Sequence, residues 1–243
     1  MKYPGCGGAN TVRSARKQNY FPVEIHVKPI MVSMHDELLP LFPLSVVLLP
    51  HNPLPLHIFE ERYKKMIGEV MATGSEFGVV LVAGQGLMSN GCTATVEELV
   101  KEYPDGRMDI LTLGRRRFSI DVVNVEADYL RARVTFFDDE ESTPPATLRD
   151  RALSVCRTLP GAEEEEEPVD ANDPQLSFQL ARRVTDLEFR QQLLGMRSET
   201  ARLEKLISYV PGYVQHSRQS ERLKEVAAKN GHGAPPPGLA KGA

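Results

Sequence analysis

Seven places in this sequence hold residues whose types could do chemistry. His51 and His57 form a close histidine pair across a proline-rich turn. A zinc-type site needs three or four converging ligands, and no others gather near them in sequence. Gly74-Ser75-Glu76-Phe77-Gly78 looks superficially like a nucleophile elbow, but Ser75 stands one position early and precedes a strand where the elbow follows one. Gly84-Gln85-Gly86 follows a strand without the third glycine of a dinucleotide fingerprint, and no Gly-x-x-x-x-Gly-Lys-[Ser/Thr] phosphate loop occurs. Cys6, Cys92 and Cys156 lie too far apart to suggest a metal-binding Cys-x-x-Cys. Arg115-Arg116-Arg117 is a compact basic cluster. It reads first as a solvated strand end whose arginines pair with nearby acids, and second as an anion or nucleic-acid contact. The Glu163 to Glu167 run reads as a solvated linker. Leu87 and Met88 sit in a glycine-rich stretch where no core period demands them. Exposed apolar residues on a loop mark partner sites, while the same residues folded back make a small lid. We carry Leu87, Met88, Arg115 and Arg116 as candidate partner contacts, with no catalytic residue, metal ligand or cofactor site.

The elements that must position these residues follow from periodicity. Leu39 to Tyr63 is dense in apolar side chains and broken by Pro40, Pro43, Pro50, Pro53 and Pro55. A proline cannot donate to a sheet ladder, so each belongs at an edge, a strand start or a bulge. Two short strands result, with Leu54, Leu56 and Ile58 on one face. Glu60 to Ala72 has helical spacing at Tyr63, Met66, Ile67, Val70 and Met71, and Gly74 closes it. Phe77 to Ala83 is a buried strand, Gly84 to Gly91 a loop, and Cys92 to Val100 a strand. Asp105-Gly106 marks a hairpin turn. Strands follow from Met108, with a bend at Gly114, and again over Leu130 to Phe136.

The composition changes at Asp138-Asp139-Glu140-Glu141, and beyond it the period is helical. Helices are expected over Leu148 to Leu159, after Asp173-Pro174, after the capping-box pattern Thr185-Asp186-Leu187-Glu188, from Leu203 to Val210, and from Ser217 to Ala228. Pro211-Gly212 should stop the fourth of these. The fold class is therefore α+β: a β-rich, open-barrel-like lobe with one helix over 38–138, then a helical bundle lobe over 146–229. Residues 1–37 read as a flexible extension and 230–243 as a disordered tail, with Met31 and Met34 as alternative translation starts.

The chain has 243 residues, 41% hydrophobic and 26% charged, with net charge -4. That balance fits a globular protein and argues against global attraction to nucleic acid or anionic membranes. No apolar run approaches the ~18 residues of a membrane span. Sparse cysteines and no signal-peptide core point to the cytoplasm.

Several motifs together resemble the N-terminal, substrate-binding domain of the Lon ATP-dependent proteases. They are Leu39-Pro40-Leu41-Phe42-Pro43-Leu44, Leu54-Pro55-Leu56-His57-Ile58-Phe59-Glu60-Glu61-Arg62-Tyr63, Phe77-Gly78-Val79-Val80-Leu81, Asp105-Gly106-Arg107, Gly114-Arg115-Arg116-Arg117-Phe118 and Gln191-Gln192-Leu193-Leu194. The resemblance implies a β-rich lobe before a helical lobe, and recognition of unfolded or tagged polypeptides. A full-length Lon-type protease is the other partner it implies, with this chain as a regulator or adaptor. The ATPase phosphate loop and Ser–Lys protease of such enzymes are not matched, so a stand-alone, non-catalytic binding module is expected. A weak ATP-independent hydrolase is the remaining alternative. The zinc-binding cysteines of cereblon-type relatives are also unmatched.

Overall fold

Leu39–Leu44 forms β2 and Phe77–Ala83 forms β4, and the two pair in parallel, with Phe42 opposite Val79. The computed structural model describes residues 20–22, 38–84, 86–126, 128–140, 143–161 and 169–230. Around the parallel pair lie β1 (Tyr20–Pro22), β3 (Pro53–Ile58), β5 (Gly86–Glu102), β6 (Met108–Asn124) and β7 (Arg131–Phe136). Their order is β1-β5-β4-β2-β7-β6-β3, and an added β5–β6 pairing closes a ring of strands. It is not a regular barrel. The β5–β6 ladder carries three register shifts, and β2 meets β7 through only Leu39↔Ala132 and Pro40↔Arg131.

The prolines obey the ladder rule locally. Pro40 pairs toward β7 before the β4 pairing begins at Leu41, and Pro43 pairs toward β4 after the β7 pairing has ended. Pro53 and Pro55 lie in β3, the last strand of the order, where one side needs no donor.

The helix α1 (Glu61–Thr73) buries Tyr63, Met66, Ile67 and Val70 and ends at Gly74 in the left-handed region. Met71, expected on the inner face, is instead 39% exposed. Among the described residues four further α-helices follow, α2 (Ala146–Cys156), α3 (Leu176–Leu180), α4 (Leu187–Gly195) and α5 (Glu199–Asn230), with a 3-10 turn at Ala181–Arg183 after α3. The α4 N-cap is Asp186, whose carboxylate accepts from the Phe189 backbone N–H, so the expected capping box is shifted by one residue.

One hydrophobic core runs from Phe42, Phe77 and Ile110 in the strands and Leu49 in the connection between β2 and β3, through α1, to Phe178, Leu193, Leu206 and Val210 in the helices. A second, smaller cluster gathers Leu39, Leu41, Val80, Leu87, Phe118, Ile120 and Ala132.

Two expectations, the loop over Gly84 to Gly91 and the stop at Pro211, fail for identifiable reasons. Gly84 to Gly91 is not a loop throughout, because β5 begins at Gly86. Gly91 is there for space: a Cβ would lie 2.4 Å from the Phe118 ring and 2.7 Å from the Val79 carbonyl oxygen. β6 runs through Gly114 with a register shift beside it, between Cys92↔Arg117 and Ala94↔Gly114, and a Cβ at Gly114 would lie 2.2 Å from the Leu49 carbonyl oxygen. This glycine lets the turn after β2 close, where His51 N–H donates to Gly114 O and Gly114 N–H donates to Asn52 O. Finally, Pro211 does not stop a helix, because α5 continues through it. An interior proline costs about 3 kcal/mol. Burial of Val210 and Val214 on either side contributes about 1.5–3 kcal/mol each and offsets it. The flexible extension apart from 20–22, the alternative starts Met31 and Met34, the Glu163 to Glu167 run and the tail from Gly231 lie outside the described residues.

Candidate polypeptide-binding surface

The residues proposed from sequence do not form one exposed site. Leu87 is only 5% exposed and belongs to the second core cluster, so it is unavailable as an exposed partner contact. Its stretch is strand, paired on one side with Val82 and on the other with Phe21. Met88 is half-buried against the main core. Arg115 donates through Nε to Thr95 Oγ1 and through Nη2 to Glu97, at 2.9 and 2.8 Å. Arg116 donates to Glu76 at 3.1 Å and lies 4.0 Å from the Phe136 ring centroid. These two arginines pair with nearby acids, as expected from the sequence, but they stand in the middle of β6, which runs on to Asn124, and not at a strand end.

Arg117 does not. Its side chain is 2% exposed and reaches from β6 into the helical half. It donates to Asp139 and to the Met196 carbonyl, both at 2.6 Å, and to the Leu194 carbonyl at 3.3 Å. Arg202 of α5, fully buried, donates to the same Asp139 carboxylate, to Glu199 at 2.6 Å and to Ser177 Oγ at 2.8 Å. The Phe178 ring lies under both guanidiniums, at 5.4 and 4.3 Å. Two cations and two carboxylates thus share one buried junction between strands and helices. Burial alone would raise the Asp139 carboxyl, but the hydrogen bonds and charges of Arg202 and Arg117 hold it below its usual range. For Glu199 burial wins and pushes the carboxyl up, against its bonds from Ser177 and Arg202. This network is structural. The sequence carries no clear signal for it: Arg117 is out of phase with the inward Phe118 and Ile120, and it stands in a charged triplet with Arg115 and Arg116.

Exposed apolar residues occur at the outer end of the β5–β6 hairpin and just after β3, while others, Leu223 of α5 the most exposed of them, stand elsewhere. Phe59 is 60% exposed, Val100 59% and Leu99 38%. His57 donates from Nδ1 to Asp109 at 2.5 Å, and Tyr103 O–H donates to the other Asp109 oxygen at 2.8 Å. These two bonds, His57 first, hold the Asp109 carboxyl below its usual range. Phe59 stacks on the His57 ring at 6.0 Å, while Lys101 and Arg107 lie over the Tyr103 ring at 4.4 and 5.0 Å. The turn itself is fixed by Gly106, at φ 78°, and by Lys64 donating to the Asp105 carbonyl. The result is a fixed patch of aromatic and apolar groups with donors at its rim, the composition of a binding surface.

A second concavity of about 380 Å³ lies between α4 and α5, lined by Asp186, Phe189, Gln192, Lys205, Ser208 and Tyr209 among others. Phe189 stacks on Tyr209 at 3.8 Å, and Tyr209 O–H donates to Asp186 at 2.5 Å. Burial, then the Asp186 carboxylate, push the Tyr209 phenol up. Its polar groups are therefore largely engaged with one another.

Groups suited to covalent chemistry are poorly placed for it. Burial pushes the thiols of Cys92 and Cys156 up to about 12, so neither is a thiolate at neutral pH. Ser75 Oγ lies 2.8 Å from Thr73 Oγ1 in the turn that ends α1. Among the described residues, no cluster of His, Cys, Asp and Glu could hold a metal ion, and no helix is long and apolar enough to cross a membrane.

Comparison with known proteins matches residues 38–211 to the substrate-binding domain of ATP-dependent protease La (LON). The fold is similar to the crystal structure of a Lon N-terminal domain protein from Xanthomonas campestris, with TM-score 0.57 and 25% identity over 71% of this chain and 98% of that one. It is also similar to the N-terminal domain of the Mycobacterium avium complex Lon protease, with TM-score 0.54 and 15% identity over 72% and 98% of the two chains. The second likeness is one of fold.

Proposed function

We propose a polypeptide-recognition role for this chain, which belongs to the family of the LON substrate-binding domain. The family match carries the reading, because it spans β2 to β7, the buried junction, α1 to α4 and the first part of α5 together. We read the binding as non-catalytic, a reading supported by the buried thiols of Cys92 and Cys156 and by Ser75 Oγ lying against Thr73 Oγ1. Unfolded or tagged polypeptides are the partners, held by apolar and aromatic contact at the outer hairpin while the charged rim orients them. The Arg117–Asp139–Arg202 junction holds the strands and helices as one body, so the surface is presented on a rigid frame.

The test is a pull-down with one chain in two forms. Immobilised protein is offered reduced, carboxamidomethylated lysozyme and native lysozyme, which share a sequence and differ in folding. Retention of the unfolded form alone supports the reading. Equal retention of both forms, or of neither, refutes it. A Lon-type protease added to the same beads separates independent binding from an adaptor role, which requires retention of the protease together with the client.

A further inference from the structure

The β4 ladder against β5 ends at Phe77↔Ala94, yet β5 runs on to Glu102. Over residues 95–102 one edge of β5 pairs with β6 and, among the described residues, nothing pairs with the other edge. At ~3.3 Å per residue this leaves about 26 Å of open strand edge. Residues 97–102 are all exposed, and Leu99 and Val100 show apolar side chains there at 38% and 59%. Strand edges of this length template the addition of another strand unless they are covered.

From this edge we infer the mode of client binding, on the premise of the polypeptide-binding reading above: an extended client segment adds as a strand along residues 95–102 of β5. Backbone hydrogen bonds supply affinity without sequence demands, and Leu99 and Val100 flank apolar side chains of the client. Register shifts between Val96 and Glu98 and between Leu99 and Lys101 interrupt the regularity of the strand. Bulges of this kind twist an edge and weaken continuous pairing, which suits reversible capture over permanent assembly.

The charge on the edge selects the occupant. Glu97 is engaged by Arg115 and Thr95, and Lys101 lies over the Tyr103 ring. Glu98 and Glu102 have no ion pair among the described residues, so the edge has an acidic excess. A second copy is the weaker occupant: antiparallel self-pairing centred on Val100 sets Glu98 of one copy against Glu102 of the other, and the register one step over offers Glu98 a Lys101 already drawn onto the Tyr103 ring while setting Glu97 against Glu102. An apolar segment bearing Lys or Arg complements the edge instead. The fold already accepts a short strand elsewhere on β5, where β1 pairs with Gly86 to Met88.

The probe is a fluorescent peptide of alternating Val and Lys, with two controls. One carries N-methyl groups on alternate amides, and the other replaces Lys with Glu. The inference expects binding of the Val–Lys peptide, a loss of about tenfold or more on N-methylation, and a comparable loss with Glu. Hydrogen exchange should slow at residues 95–102 when the Val–Lys peptide is present. The double substitution Glu98→Lys/Glu102→Lys should reverse the charge preference without moving the urea midpoint, showing that the fold survives. Equal binding of the N-methylated peptide, or protection confined to the α4–α5 concavity, overturns the inference while leaving polypeptide binding itself intact. Concentration-dependent dimerisation protecting the same residues would assign the edge to a second copy and also overturn it. So would protection without peptide that disappears when residues 1–19 are deleted. Failure of unfolded lysozyme to bind at all removes the underlying reading.

Discussion

Substituting Arg115, Arg116 and Arg117 each by Met gives a controlled series, because three neighbouring cations stand in three environments. The Arg115 side chain is 38% exposed and that of Arg116 56%, and each pairs with one partly exposed glutamate. Surface pairs of this kind contribute roughly 0–1 kcal/mol. The Arg117 side chain is 2% exposed, and its loss takes one of two cations from Asp139 and the donor from the Leu194 carbonyl. Met fills much of the volume but restores neither bond. Breaking a buried pair from one side costs about 3–5 kcal/mol, against a typical domain stability of about 5–15 kcal/mol. With a urea m-value of about 2 kcal/mol/M, the Arg117→Met midpoint should fall by roughly 1.5–2.5 M. The other two should move it by less than about 0.5 M. Urea unfolding followed by far-ultraviolet circular dichroism reads all three. If Arg117→Met lies within the range of its neighbours, the buried junction does not hold the molecule together and the reasoning fails.

The junction also sets an acid response. Asp139 is held below its ordinary value of 3.8, so its contribution is complete above that pH and is lost as pH falls through the lower folded value. Asp186 acts in the same direction, and Glu199, raised by burial, in the opposite one. The urea midpoint should therefore fall below about pH 4, and less steeply in Asp139→Asn, whose midpoint is already lower at pH 7. Gly114→Ala should destabilise by at least about 1–3 kcal/mol, since its Cβ meets the Leu49 carbonyl oxygen at 2.2 Å. Gly68→Ala in α1, with nothing within 4 Å, should stabilise by roughly 0.4–1 kcal/mol, and thermal melts compare the two. In a Cys6→Ser background, Cys92 and Cys156 should resist a thiol reagent at pH 8 and react fully in denaturant. Rapid labelling of the folded protein would contradict their burial.

Much of the fold could be read where pattern and local chemistry agree. Tyr63, Met66, Ile67 and Val70 announce α1 by spacing, and Gly74 ends it. The Asp105-Gly106 turn does join two long strands. Glycine was the main source of error, because its absence of a side chain serves either conformation or proximity. Gly91 reads from the sequence as loop but lies in a strand, and at both Gly91 and Gly114 a neighbour from distant sequence, Phe118 or Leu49, requires the space. Pro211 misled for a related reason: propensity is local, and the packing of Val210 and Val214 that overrides it is not. The candidate surface was the least legible part. Arg117 belongs to a charged triplet, and only its partner Asp139, reached through the tertiary fold, separates it from Arg115 and Arg116. Leu87 looked exposed because its strand begins in a glycine-rich stretch. Leu99 and Val100 looked like ordinary strand residues, because where a neighbouring strand stops cannot be read from either one's own sequence.

The central claim is that this chain recognises unfolded polypeptide. The most direct measurement is a fluorescence anisotropy titration of labelled lysozyme, native in one series and reduced and carboxamidomethylated in the other. It is run at low salt and again at about 0.5 M, where exposed charge pairs are largely screened. The account predicts saturable binding of the unfolded form only, weakened but retained at high salt, because backbone pairing and apolar contact carry it. Equal binding of the native form, or binding that vanishes with salt, would contradict it.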